Sequence, residues 1–434
     1  MRSFITSTQK WEEAKRYLTG GESSQGRTWL YPLYMSKAKG SRITDVDNNE
    51  YIDYMLGYGA LILGHGNDRV VKAITKQAQE AFVHGYNHVG EIELAKKVTS
   101  LFPNIEEVKF NVTGTEAVQA AIRMARTYTG KSKVLKFVGQ YHGWNDSVLI
   151  SGAATKEKDM GPYSSPNAVI ISKGQPSHNL EGMMVAHWND LDQVEGILKK
   201  HKGELAAVLT EPMMTNAHII TAKPGYLKGL KELCKQYGVL LIFDEVVTGF
   251  RLDLRGGQGY FGVTPDITAF GKAMGGGMAL SCIGASREIM SVNRPDGAIH
   301  LGTFNSSPIA VAAADACLGE LIDNEQTYYP RMRKLGEKLK KGIKETFDRK
   351  GIPVLIQGTE TLFAVMFTDK PAITNFSETF GLNTDRLHKY KTELYKRGIM
   401  GRPELRDIWY LSAAHTEKDI DETLNIIEEV SKLI

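Results

Sequence analysis

Gly238–Arg251 reads GVLLIFDEVVTGFR. Five apolar residues, Val239 to Phe243, run without a break into the acidic pair Asp244-Glu245, and a Gly-Phe-Arg turn closes the stretch. A short, unbroken apolar run between turn signals predicts a strand buried on both faces, as in a parallel sheet. Open α/β sheets bind ligands beyond the carboxyl ends of such strands, the place where Asp244 falls. A carboxylate there needs a cationic partner, because an isolated buried charge is costly.

About one strand further on, Asp266-Ile-Thr-Ala-Phe-Gly-Lys272 ends in a lysine, followed by Ala-Met and Gly275-Gly276-Gly277. A strand-end Asp with a strand-end Lys is the pair that pyridoxal 5'-phosphate (PLP) requires: the lysine forms the Schiff base and the Asp keeps the pyridinium nitrogen protonated. Most of the 53 basic residues belong on a solvated surface. Lys272, after a buried strand and before three glycines, is expected to point inward, where burial favours a neutral, nucleophilic amine.

FDEVVTGFR and FGKAMGGGM resemble the signature of the class III aminotransferases, PLP enzymes of fold type I. In overall pattern the chain most resembles their glutamate-1-semialdehyde aminomutase-like subgroup. The resemblance extends from about Gly20 to the C-terminal helix, with several widely spaced motifs in the family's order. It implies an α/β fold with a large domain, built on a mainly parallel seven-stranded sheet, and a smaller α+β domain. The expected division is an N-terminal segment 1–56 belonging to the small domain, a PLP-binding domain 57–310, and the rest of the small domain at 311–434.

Composition agrees with an ordinary soluble globular protein. The 434 residues exceed one compact core, and 42% hydrophobic with 24% charged residues is a common balance. A net charge of +3 gives no sign of nucleic acid or an anionic membrane as partner. Cys234, Cys282 and Cys317 lack CxxC spacing and fit buried thiols in a reducing compartment. The N-terminus carries Trp11 and acidic residues where a signal peptide would have its apolar core, and a cytoplasmic protein is expected.

Along the chain, the pattern predicts a short helix over Trp11–Leu18, then a polar loop carrying Arg27. A hairpin is expected around Asn48-Asn49, since Asn tolerates the positive φ of tight turns. His65 is expected to stabilise a turn. Helices over Asp68–Ala81, Glu91–Leu101 and Ala117–Tyr128, and strands over Glu107–Val112 and Lys133–Phe137, set an alternation that continues to Ala285. That alternation is the signature of crossover units on a parallel sheet. A helix follows Pro308, and amphipathic helices with separated strands, Leu362–Thr368 the clearest, follow residue 325.

Asn111-Val-Thr113-Gly114-Thr115-Glu116-Ala117 follows a strand and opens a helix, where free amides form an anion site. It is similar to the family's S-G-T/S-E-A motif, with Thr113 in place of Ser, and the resemblance implies that Gly114 and Thr115 bind the cofactor phosphate. Tyr141-His142-Gly143 matches the family's YHG, implying an aromatic on the cofactor face with His142 in support; ring stacking contributes about 0.5–1.5 kcal/mol. Glu211-Pro212 matches the E-P motif, whose glutamate lies near the cofactor's O3′ and the substrate side. Asp244 matches the pyridinium partner and Val246 the residue under the ring. Gly302-Thr303 matches the G-T motif, implying that the threonine completes the phosphate site of the partner in a homodimer. Asn305-Ser306-Ser307 departs from the aminomutases' usual Ser-Gly-Asn.

Three arginines are candidates for a substrate carboxylate through their bidentate fork. Arg27 matches an arginine that has this role in the subgroup, though its loop also reads as solvated surface. Arg402 and Arg406 lie near where the family's small domain faces the substrate, beside Asp407, at a place where aminomutases carry an acidic residue. Arg251 is read as an ion-pairing structural residue.

The expected function is amine transfer between an amino donor and a keto or aldehyde acceptor, both small molecules, by way of pyridoxamine phosphate, with Lys272 moving the proton. Glutamate-1-semialdehyde 2,1-aminomutase chemistry, within one molecule, and amino-acid racemisation keep the same residues and stay open. A PLP-binding module without turnover is the reading from another class. Gly275-Gly276-Gly277 has neither the G-x-G-x-x-G nor the G-x-x-x-x-G-K-[ST] form, which argues against a nucleotide site.

Overall fold

A computed structural model describes residues 2–27 and 30–434. The first helix spans Ile5–Ala14 because the Asp47 carboxylate, 41 residues downstream, accepts the amides of Thr6 at 2.7 Å and Ser7. A helix was expected over Trp11–Leu18; a cap from so far along the chain leaves no local signal, and Lys15–Leu18 forms only turns. The expected hairpin is present, with β1 (Met35–Lys39), β2 (Arg42–Asp45) and β3 (Glu50–Asp53) in antiparallel order and Asn48 at φ 63°. His65 Nε2 meets Asp53 Oδ2 at 2.7 Å and pins the turn that follows β3.

Seven strands then build one sheet: β4 (Glu107–Asn111), β5 (Lys133–Phe137), β6 (Met183–Ala186), β7 (Leu205–Thr210), β8 (Leu240–Glu245), β9 (Ile267–Phe270) and β10 (Ser281–Ala285). Their order is β4-β10-β9-β8-β7-β5-β6, and only β10 runs antiparallel to its neighbours. The opening stretch supplies β8, near the middle. Leu241, Ile242 and Phe243 are fully buried, as an all-apolar strand covered on both faces must be. Asp244 pairs with Ala269 of β9 and Phe243 with Thr210 of β7, so the residues that follow β7, β8 and β9 emerge at one end of the sheet.

Helix Gly114–Thr129 follows β4, and helix Pro308–Asp323 packs against helix Val89–Leu101 and against the short 3-10 turn Lys272–Gly275. That packing keeps Pro308–Asp323 with the sheet. The chain accordingly divides into two compact units, Arg69–Glu325 with Ile373–Phe380, and Met1–Asp68 with Gln326–Ala372 and Gly381–Ile434.

The second unit closes with β11 (Leu355–Gly358), β12 (Leu362–Met366), β13 (Ile399–Met400) and β14 (Asp407–Tyr410). β13 pairs in parallel with β3, joining chain ends far apart in sequence. Around these strands Phe347, Phe363, Tyr390 and Trp409 form an apolar core with helices Glu325–Arg349, Thr384–Arg397 and Glu417–Val430. Among the described residues no helix is long and apolar enough to cross a membrane. The three cysteines are buried and unbridged.

Candidate active site

Asp244 ends β8 with only 5% of its surface exposed. Its Oδ1 accepts the Val246 amide at 3.0 Å, and its Oδ2 lies 2.8 Å from His142 Nδ1. His142 is itself buried, and burial lowers its pKa in spite of the carboxylate beside it. A neutral imidazole that donates from Nδ1 leaves Nε2 as a bare acceptor. Nε2 is buried and has no partner among the described residues, which suits a lone pair better than the second N–H of an imidazolium. Asp244 is thus held by two donors and keeps lone pairs for a third.

Glu211 follows β7 and is 3% exposed. Its carboxylate accepts the Tyr141 amide at 3.2 Å and the amide and hydroxyl of Thr215. Burial first, and the Asp244 charge second, push its pKa up to about 7. Gln140 locks the same turn from its other side: its side chain accepts the Glu211 amide at 3.1 Å and donates to Thr210 Oγ1. Tyr141 leaves this turn with 40% of its surface exposed.

The start of helix Gly114–Thr129 closes on the same place. Thr113 is its N-cap, and its hydroxyl accepts the Glu116 amide while Glu116 accepts the Thr113 amide at 2.7 Å. That hydroxyl serves the cap, so the amides of the first turn, from Gly114 onward, are what the loop offers an anion. A Cβ on Gly114 would lie 2.9 Å from both Val246 methyl carbons, and one on Gly143 would lie 2.7 Å from Thr115 Oγ1. Only glycine allows the loops after β4, β5 and β8 to approach so closely. A Cβ on Gly271, just before Lys272, would lie 3.4 Å from a Val246 methyl carbon. Lys272 has φ 46°, a left-handed conformation uncommon outside glycine and of the kind that clusters at functional sites.

Of the sequence candidates, the structure therefore brings together Gly114, Thr115, Tyr141, His142, Glu211, Asp244, Val246 and, through Gly271, Lys272. Thr303 is exposed and lines a cavity of about 770 Å³ with His84, His88 and Lys109. Arg27, Arg402 and Arg406 belong to the other unit. Within it Arg402 is buried, pairs with Glu404 at 3.2 Å and lies over the Tyr58 ring at 5.1 Å, whereas Arg27 is exposed. Asp407 is buried and accepts the Trp409 indole N–H at 2.6 Å. Arg251 is fully buried beside β8's end. Sequence reasoning missed Lys136, which reaches the carbonyls of Gln140, Val148 and Ile150, Gln140, which meets Thr210 and Glu211 once β5 and β7 lie side by side, and Thr215, which bonds the Glu211 carboxylate four residues back.

The sequence model of the family described as aminotransferase class-III matches residues 23–430. A glutamate-1-semialdehyde 2,1-aminomutase of Persephonella marina is 39% identical over 432 residues, covering 98% of each chain. The crystal structure of an omega-transaminase from Sphaerobacter thermophilus is 31% identical and superposes with a TM-score of 0.92, covering 98% of this chain and 97% of that one. A transaminase with PLP bound is 26% identical, with a TM-score of 0.90 over 100% of this chain and 98% of the other. The strand-end residues around Asp244 and Lys272 and these likenesses lead to one assignment: the chain belongs to the class III aminotransferases, a family of PLP-dependent enzymes.

Proposed function

We propose that this enzyme moves an amino group between an amino donor and a keto or aldehyde acceptor, with PLP held between the loops after β4, β5, β7, β8 and β9. The observation that carries this reading is Asp244, a buried carboxylate held by one backbone amide and one neutral imidazole at a strand end. The residues present fit PLP: the unpaired lone pairs of Asp244 suit a pyridinium N–H, and the glycine-lined approach of Gly114 to Val246 suits a flat ring beside an anion-binding helix start. When bound, PLP supplies an electron-withdrawing ring and an aldehyde carbon able to carry an amino group.

In this reading Asp244 would keep the ring nitrogen protonated, and a neutral His142 would orient the carboxylate without adding a competing positive charge. Tyr141 and Val246 would be the side chains that pack on the ring's faces. Gly114 and Thr115 would hold the phosphate, with Thr113 fixing the turn that presents them, and Glu211 would serve the O3′ side of the ring. Lys272 Nζ would hold the aldehyde carbon and, when free of it, would be the group that moves a proton from the substrate Cα. Arg27, Arg402 and Arg406 are the groups suited to a substrate carboxylate.

Thr303 is read as completing the phosphate site of a second copy. The exposure of Tyr86 (87%), Leu301 (86%), Phe304 (59%) and Ile92 (52%) supports an apolar face covered in a homodimer. The 39% identity to an aminomutase favours a second reading, exchange of amine and carbonyl within one molecule. Titration of the holoenzyme with single amines, without acceptor, separates the two. Stoichiometric release of a keto product with aminated cofactor left on the protein supports intermolecular transfer. Turnover confined to an amino-aldehyde or diamino compound supports the intramolecular exchange.

A further inference from the structure

Lys136 lies inside β5 with no exposed surface, and no step above uses it. Its Nζ donates to the carbonyls of Gln140 at 3.1 Å, Val148 at 3.4 Å and Ile150. Three acceptors match the three donors of an ammonium, and a neutral amine has only two. These carbonyls belong to two segments, the turn after β5 and the run Val148–Ile150, which one side chain therefore staples together. Burying an ammonium costs several kcal/mol, and an apolar residue is the cheaper filling for a covered strand. The cation is placed where two buried carboxylates, Glu211 and Asp244, close the same turn from the other side.

We propose that Lys136 is a positioning residue for the cofactor site: its buried ammonium fixes the Gln140–His142 turn, and with it the Tyr141 ring and the His142–Asp244 pair, by holding the carbonyls of Gln140, Val148 and Ile150. The inference rests on the reading of Tyr141 and Asp244 as groups that hold PLP. The path is continuous: Lys136 holds the Gln140 carbonyl, the Gln140 side chain holds the Glu211 amide, Glu211 holds the Tyr141 amide, and His142 follows next in the chain. Burial draws the Lys136 amine down to about 7 while the Glu211 charge acts the other way, so the three carbonyl acceptors are what hold its ammonium; its charge adds to the burial that keeps His142 neutral.

The test compares holoenzyme with Lys136→Met and Lys136→Gln, each alone and with His142→Asn, by PLP retention on dialysis and by visible circular dichroism of the bound cofactor. The expected result is folded protein with PLP still attached to Lys272, about tenfold weaker retention and an altered dichroic band. With His142→Asn already present, the further loss is expected to stay below about threefold, because the two residues act on one turn. Unchanged retention and dichroism, losses that multiply, or failure of both variants to fold would overturn the proposal in favour of a purely structural lysine. Absence of any cofactor band in the unaltered enzyme would instead sink the underlying PLP reading.

Discussion

At the scale of single residues, the site is a contest between burial and charge. Asp244 receives a backbone amide and an imidazole N–H, while the neighbouring Glu211 is pushed up to about 7 by burial and by the Asp244 charge. Asp244→Asn keeps the shape and removes the charge that holds a ring nitrogen protonated. It is expected to lower kcat about 100-fold, or about 2.7 kcal/mol, with a melting temperature within about 3 °C of the parent. Steady-state kinetics and a thermal melt check this. Glu211 gives a pH dependence with a definite sign. Its folded pKa exceeds its ordinary value of 4.5, so the stability it contributes is full below about 4.5 and fades as pH rises through about 7. Denaturant unfolding of cofactor-stripped protein at about pH 5 and about pH 8 should therefore show Glu211→Gln gaining on the parent at the higher pH, by on the order of 3 kcal/mol.

At the scale of elements, five of the seven strands, β4, β5, β7, β8 and β9, each deliver one loop to the site, and glycine sets how closely the loops meet. Gly143 has φ 99°, and any Cβ there would press on Thr115 at 2.7 Å. Gly143→Ala should cost about 1–3 kcal/mol in unfolding free energy and weaken PLP retention, because the strained turn and the phosphate loop must separate. Equilibrium unfolding and dialysis measure the two effects; unchanged values for both would contradict the close approach. Much of this level was legible in the sequence. The apolar run before Asp244-Glu245 announced β8, and the stretch Asn111–Ala117 announced a helix opening after a strand. The first helix was not legible, because Asp47 caps it from another part of the chain. Lys136 was not legible either: within KVLKF a lysine reads as an outward position of a strand, and only the carbonyls of Gln140, Val148 and Ile150 reveal that it is inside. Gln140 and Thr215 share this fate, since their partners lie on separate strands or are contacts made only after folding.

At the scale of the whole molecule, one chain leaves the apolar side chains around Thr303 in water. If a second copy covers them, Leu301→Glu with Phe304→Glu should give monomers by analytical ultracentrifugation and reduce turnover at least about tenfold, since Thr303 would then lack its partner site. Monomers with full turnover would show that each chain works alone. The claim on which the rest depends is that Lys272 carries the cofactor, and a covalent trap tests it most directly. Holoenzyme reduced with borohydride, digested and mapped by mass spectrometry should yield a pyridoxyl group on the peptide containing Lys272 and on no other lysine, Lys136 included. A pyridoxyl group elsewhere, or none at all, would contradict the account.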